Sequence, residues 1–222
     1  MTLGRLTAEN KVSEIAKRLL ASLPSESWHR SQDAFGALIA VILSQNTSSA
    51  NSLRAYNRLE EKFEVKPEVL AQLDPEEIKP LIRIAGLHER RSHRIVEVSK
   101  EVLKRYNGDL ESVLRRPLDE ARKELMSIKG VGPKTADVVL ASKAGKPIIP
   151  IDTNIFRVLN RTGLVKGRKY EESRSILESG VPPEKRWAVH LSLIRLGREI
   201  CKPKGPSHSL CPIEDLCDKI IE

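Results

Sequence analysis

Cysteine is scarce in this chain: there are three in 222 residues, all within the last 22. An odd set clustered at one end argues against a disulfide framework and suggests metal ligation or reduced thiols. Aromatic residues make up only 4%, and β-branched alternation is rare, which argues against a sheet-built fold. Long hydrophobic runs are also missing. The longest uncharged apolar stretch, Phe35 to Leu43, falls far short of the ~20 residues a membrane-spanning helix needs. The opening MTLGRLTAENK has no apolar signal core. The expectation is a soluble, intracellular protein of the cytoplasm or nucleoid with no membrane partner. No internal repeat or low-complexity linker is visible.

What is present is helical. Segments rich in Leu, Ala, Glu, Lys and Arg recur with apolar residues at helical spacing, so the fold class is expected to be all-α. A hydrophobic fraction of 40% over this length can bury one large core or two modest ones. The net charge of +8 and pI near 9.5 favour a polyanionic partner, because each phosphate neutralised by Lys or Arg releases condensed counterions. Charge alone decides little, since 31% of residues are charged with both signs mixed.

In chain order, the spacing predicts a helix over Ala8 to Leu23 ended by Pro24, then a polar connection from Ser27 to Asp33 containing Trp28. A helix apolar on nearly every side follows from Ala34 to Leu43, giving way to the polar cluster Ser44 to Ser49. The next helix runs through Leu53, Tyr56, Leu59 and Phe63. Asp74 and Pro75 supply a cap and first residue for a helix to Ile84. An amphipathic helix is expected from Arg91 to Tyr106, and shorter ones over Asp109 to Arg115 and Leu118 to Met126. Lys143 to Pro150 reads as irregular. Three helical stripes close the chain: Thr153 to Arg161, Tyr170 to Leu177 and Glu184 to Arg198.

The most informative stretch is Leu125 to Leu164. Gly130-Val131-Gly132 connects two apolar-periodic segments, Lys134 opens the second, and Asp152 stands eighteen residues beyond that lysine at the start of another helix. Glycines in so short a connection let the backbone approach a ligand closely. The helix that follows offers free N–H groups and a positive dipole end, a natural seat for phosphate. By themselves, GxG is also an ordinary interhelical turn, Asp152 an ordinary N-cap and Lys134 an ordinary solvated cation.

Taken together, Gly130-Val131-Gly132-Pro133-Lys134-Thr135-Ala136 and Asp152-Thr153-Asn154-Ile155-Phe156-Arg157-Val158-Leu159-Asn160-Arg161 resemble the helix-hairpin-helix DNA glycosylases, and within them the endonuclease III branch. The likeness extends more weakly from about Ala34 to Cys217. Lys129 departs from it, standing where relatives commonly have proline. The resemblance implies a two-lobed all-α fold. A six-helix lobe with the hairpin would span 26–145, and a second lobe of terminal helices would join 1–25 to 146–222, with a C-terminal metal-cluster loop.

It also implies base-excision repair: a glycosylase with AP lyase activity on oxidised or damaged pyrimidines in double-stranded DNA, acting as a monomer. Lys134 would be the nucleophile and Asp152 the carboxylate that stabilises charge developing on the sugar. An attacking amine must be unprotonated, so the lysine pKa is expected to be lowered by partial burial or nearby cations. Lys129, Gly130, Val131, Gly132 and Lys134 would hold the DNA backbone. Gln45 or Asn46 would fill the gap left by the extruded nucleotide, and Leu87 would wedge into the opposite strand. Arg83, His88, Arg90, Arg91, His93 and Arg94 crowd that last loop and suit phosphates.

In the tail, Cys201, His208, Cys211 and Cys217 follow one another with six, two and five residues between them. Relatives hold a [4Fe-4S] cluster with four cysteines at this spacing, so the resemblance implies Cys3His ligation, with zinc or a metal-free tail as alternatives. A U/G or T/G mismatch glycosylase and a non-catalytic helix-hairpin-helix DNA-binding module are the competing functions. An adenine-specific relative is disfavoured, because apolar Ala40-Val41-Ile42 stands where that branch carries a catalytic glutamate.

Overall fold

The computed structural model describes residues 7–24 and 33–220. Among them twelve α-helices and several short 3-10 turns are found, and no strand. The helices are α1 (Ala8–Ser22), α2 (Ala34–Ser44), α3 (Ser49–Lys62), α4 (Pro67–Leu70), α5 (Pro75–Ile82), α6 (His88–Tyr106), α7 (Leu110–Leu114), α8 (Leu118–Ser127), α9 (Pro133–Ala144), α10 (Thr153–Arg161), α11 (Tyr170–Gly180) and α12 (Arg186–Glu199). The expected polar connection around Trp28 lies outside the described residues. None of the described helices is long and apolar enough to cross a membrane.

Side-chain caps open six of the twelve described helices. Thr7, Asp33, Ser48, Asp109 and Asp152 each accept a backbone N–H of the first turn of the helix they precede, satisfying donors with no intrahelical partner. Asp74 and Glu77 form a reciprocal capping box ahead of Pro75. Helix α6 begins at His88, three residues before the expected start. The preceding Leu87 takes a left-handed conformation, and the chain turns directly into the helix. The four-residue α4 is not anticipated by periodicity, having too few residues to show one.

The chain divides into two compact units, Trp28–Lys146 and Met1–Ser27 with Pro147–Glu222. In the first, α2 is the centre. Every residue from Ala34 to Leu43 is buried, and α3, α6, α7 and α9 pack around the helix. Each fully buried Leu or Ile contributes about 1.5–3 kcal/mol. In the second unit, α1 packs on α11 and α12, and α10 packs on α12. Val12, Leu19, Ile151, Ile155, Leu159 and Leu193 lie within its core. At Gly197 an added Cβ would stand 2.6 Å from the Asn154 Cβ, so only glycine permits α12 to approach α10 this closely.

Candidate active site

In the Trp28–Lys146 unit, α8 and α9 are joined by a tight turn that makes the hairpin. The Val131 N–H donates to the Ile128 carbonyl at 3.0 Å. Gly130 sits at φ +92°, and a Cβ there would press on the Arg94 side chain at 3.3 Å. Gly132 is the N-cap of α9, with Pro133 in its first turn. Of the residues expected to hold the DNA backbone, Val131 already spends its N–H within the turn and its side chain is buried; Pro133, next to the expected set, has no N–H to offer. Lys134 is half-buried in the first turn of α9. Lys129 is exposed beside the turn and pairs with Glu97 at 3.3 Å.

Of the two candidate gap fillers, Asn46 is exposed with φ 51°, whereas Gln45 is half-buried. The Gln45 amide is held at both ends: Arg94 Nη1 donates to its Oε1 at 3.2 Å, and its Nε2 donates to Thr135 Oγ1 at 3.3 Å. Leu87 is not a core leucine; it is 53% exposed. Arg83, Arg90 and His93 are exposed as a phosphate-facing group requires. Arg91 is not, being 4% exposed and turned inward onto backbone carbonyls.

In the other unit, Asp152 is delivered by a segment whose backbone bonds to side chains rather than to a strand. The Ile149 N–H donates to Glu178 at 3.0 Å and the Ile151 N–H to the Tyr170 hydroxyl at 3.2 Å. His190 Nδ1 lies 2.8 Å from the Pro150 carbonyl, which only accepts, so that nitrogen carries the proton. Asp152 is half-buried and is the N-cap of α10. Its Oδ1 accepts the Ile155 N–H and its Oδ2 the Asn154 amide, both at 2.8 Å. From Asn154 the network continues to Arg157 Nη2 at 2.9 Å, and Arg157 Nε donates to the Cys201 carbonyl at 2.8 Å. The carboxylate is thereby linked through α10 to the cysteine loop.

Cys201, His208, Cys211 and Cys217 line one pocket, together with Arg161 and Lys219. All three cysteines are free thiols. Burial is the main cause pushing the Cys211 and Cys217 thiols above their ordinary pKa, so a nearby cation is what would favour their thiolates. No three of the described His, Cys, Asp and Glu residues group closely enough to hold a single ion. Arg161, 7% exposed, organises this loop. It donates to the carbonyls of Lys202 at 2.7 Å and Pro203 at 3.0 Å, and to Cys201 Sγ at 3.3 Å. The Cys217 thiol donates to its carbonyl at 3.2 Å. Helix α1 adds ion pairs on either side of Cys217, Arg18 to Asp215 at 2.5 Å and Lys11 to Asp218 at 2.9 Å, though exposed pairs such as these stabilise little.

Asn154, Arg157 and Arg161 fall at i, i+3 and i+7 of one helix. That spacing places them on one face, a polar stripe that could have marked the loop tether. Arg161→Ala is expected to destabilise this unit by about 2 kcal/mol, since it strips charged donors from the part-buried carbonyls of Lys202 and Pro203. Faster amide exchange across 201–217 would reveal it; unchanged exchange would show the loop holds without Arg161.

A glycine hairpin opening a helix with a lysine in its first turn, a carboxylate capping a later helix and a Cys/His loop define a class. Residues 39–183 match the HhH-GPD superfamily base excision DNA repair proteins, and the chain belongs to that superfamily. Within it the chain falls in the endonuclease III-like branch. It is 32% identical over 207 residues to endonuclease III of Thermotoga maritima, covering 93% of this chain and 92% of that one. With Escherichia coli endonuclease III it is 33% identical over 206 residues, covering 92% and 93%. A solved trapped endonuclease III–DNA covalent intermediate, an estranged-adenine complex, superposes with a TM-score of 0.81 at 32% identity, covering 97% of both chains.

Proposed function

We propose that this chain is a base-excision repair DNA glycosylase with AP lyase activity, acting as a monomer on oxidised or otherwise damaged pyrimidines in double-stranded DNA. The observation that carries the reading is that one chain holds both a lysine directly behind the glycine hairpin, Lys134, and a carboxylate at the cap of α10, Asp152, and has a relative that has been trapped covalently on DNA.

A stacked nucleotide must be extruded before its C1′ can be reached. The exposed backbone of the hairpin and the N-terminus of α9 hold phosphate in the way helix N-termini bind anions. As the N-glycosidic bond breaks, positive charge grows on the sugar and the Asp152 carboxylate stabilises it. The Lys134 amine forms the new bond to C1′ while the bond to the base breaks; the sugar ring then opens at C1′–O4′ to give a Schiff base, and loss of a C2′ proton expels the 3′-phosphate by β-elimination, nicking the strand 3′ to the lesion.

The donor set suits a [4Fe-4S] cluster held by Cys201, His208, Cys211 and Cys217, because three thiols and one imidazole line one pocket, and iron–sulfur clusters take thiolate ligands and accept histidine in their place. When bound, such a cluster would supply a covalent brace for the loop that Arg157 and Arg161 tether. Histidine on iron raises the potential relative to cysteine. His208→Cys is therefore expected to keep the iron content while lowering the potential, read by metal analysis and voltammetry. Wild-type protein containing neither iron nor zinc would remove the ligand assignment.

The function is tested by borohydride trapping on duplexes carrying thymine glycol, 5-hydroxyuracil, U/G, T/G, 8-oxoguanine or an abasic site. A covalent adduct with base release on an oxidised pyrimidine supports the reading. Release without an adduct points to a monofunctional mismatch enzyme, and neither product on any duplex to a DNA-binding module.

A further inference from the structure

Asn46 and Leu87 sit far apart in sequence on two loops of the same unit, yet they share an uncommon pair of properties. Both are exposed, and both have φ 51°. Left-handed backbone costs a non-glycine residue about 1–3 kcal/mol and persists only where the surroundings enforce it. Asparagine tolerates it better than leucine does. Something must hold Leu87 there.

Arg91 is placed to do so. Its Nη1 donates to the carbonyls of Ala85 at 2.6 Å and Gly86 at 2.7 Å, and its Nη2 donates to the Gln45 carbonyl. One guanidinium therefore grips the peptide unit just before Leu87 and the one just before Asn46. The cation is almost wholly buried, its partners are carbonyls rather than a carboxylate, and burial, with the nearby Arg94, pushes its pKa down. Burying a charge in this way is expensive. A planar fork of N–H donors can span three carbonyls, whereas a lysine ammonium is a single point. Gln45, next door, has its amide engaged by Arg94 and Thr135, leaving Asn46 the exposed member of that pair.

We propose that Arg91 is a positioning residue that locks the Gln45–Asn46 and Gly86–Leu87 turns into one wedge, with Asn46, and not Gln45, entering the space vacated by the extruded nucleotide. The proposal rests on the DNA-repair reading of the chain but not on its lyase chemistry. Gln45 supports the wedge from within.

The test uses the full chain and a duplex carrying 2-aminopurine opposite a tetrahydrofuran abasic analogue, with an undamaged duplex as control. Insertion at the abasic position disturbs the stacking of 2-aminopurine and changes its fluorescence. Asn46→Ala is expected to lose most of the change at saturation and Gln45→Ala much less. Arg91→Lys should slow the change by up to about 100-fold, the effect of a small misplacement, with undamaged-duplex affinity within about twofold of wild type, since no exposed cation is removed. A second comparison leaves Arg91 in place: one wedge makes the losses in Asn46→Ala and Leu87→Ala non-additive in the double variant.

Wild-type kinetics in Arg91→Lys, strict additivity of the two loop variants, or a larger loss in Gln45→Ala than in Asn46→Ala would each overturn the proposal. So would a wild-type protein that leaves the fluorescence unchanged. The lyase reading fails separately, by absence of a borohydride adduct on a natural abasic duplex, because insertion requires no covalent step.

Discussion

Lys134→Ala is expected to abolish strand nicking and the borohydride adduct while the protein still binds duplex DNA. The amine is the only part of the side chain that the Schiff-base route uses, and alanine cannot supply it. Unfolding or weakened binding would also stop nicking, and the position of the lysine speaks against both. Lys134 lies in the first turn of α9, where a cation opposes the positive end of the helix dipole and alanine is the better helix former. The sign of the intrinsic helix contribution therefore favours the variant. As for binding, one phosphate contact among those available to a chain of net charge +8 lowers the salt-dependence slope by about 1 and weakens affinity modestly. Nicking assays and salt titrations on the same preparation separate these effects. Undiminished nicking would take the lysine out of the mechanism, and base release that survives without nicking would show Asp152 acting with water alone.

The parts of the fold visible in the sequence are those where one local rule dominates. Helix α10 occupies the expected Thr153–Arg161 because an N-cap opens it and an apolar stripe runs its length. Helix α2 reads as buried because it is apolar on every side. Arg91 is hidden for the opposite reason. It falls on the same buried stripe of α6 as Ile95, Val98 and Val102, so periodicity places it inside, while its charge suggests the surface. Only the tertiary arrangement, with three carbonyls waiting from two loops, decides between them. The same holds for Arg157 and Arg161: the motif places them beside Asp152, but their bonds to the Cys201–Pro203 backbone span some forty residues of sequence that carry no local signal.

Asp152 shows how a structural and a chemical reading can both be satisfied by one side chain, and the second large effect follows from separating them. The carboxylate caps α10 through Oδ1 and receives the Asn154 amide on Oδ2. Asparagine is as good an N-cap as aspartate, so Asp152→Asn keeps the bond to the Ile155 N–H. The amide it turns toward Asn154 loses one charge-assisted hydrogen bond, a cost of about 1–3 kcal/mol. A folded domain with about 5–15 kcal/mol in hand remains overwhelmingly folded after that loss. Base release depends on the charge itself. Removing one preorganised electrostatic contact to a developing charge typically slows the step by about 10²–10³, and full loss of an anion beside an oxocarbenium-like sugar belongs at or above that range. Single-turnover base release should therefore fall by at least about 100-fold, while thermal unfolding stays cooperative and duplex affinity is kept or rises as a negative charge leaves a DNA-binding protein. A variant that unfolds but retains its specific rate would make Asp152 a cap and nothing more. One that stays folded and turns over normally would end its role as the charge-stabilising group, because the cap it still forms contributes nothing at C1′.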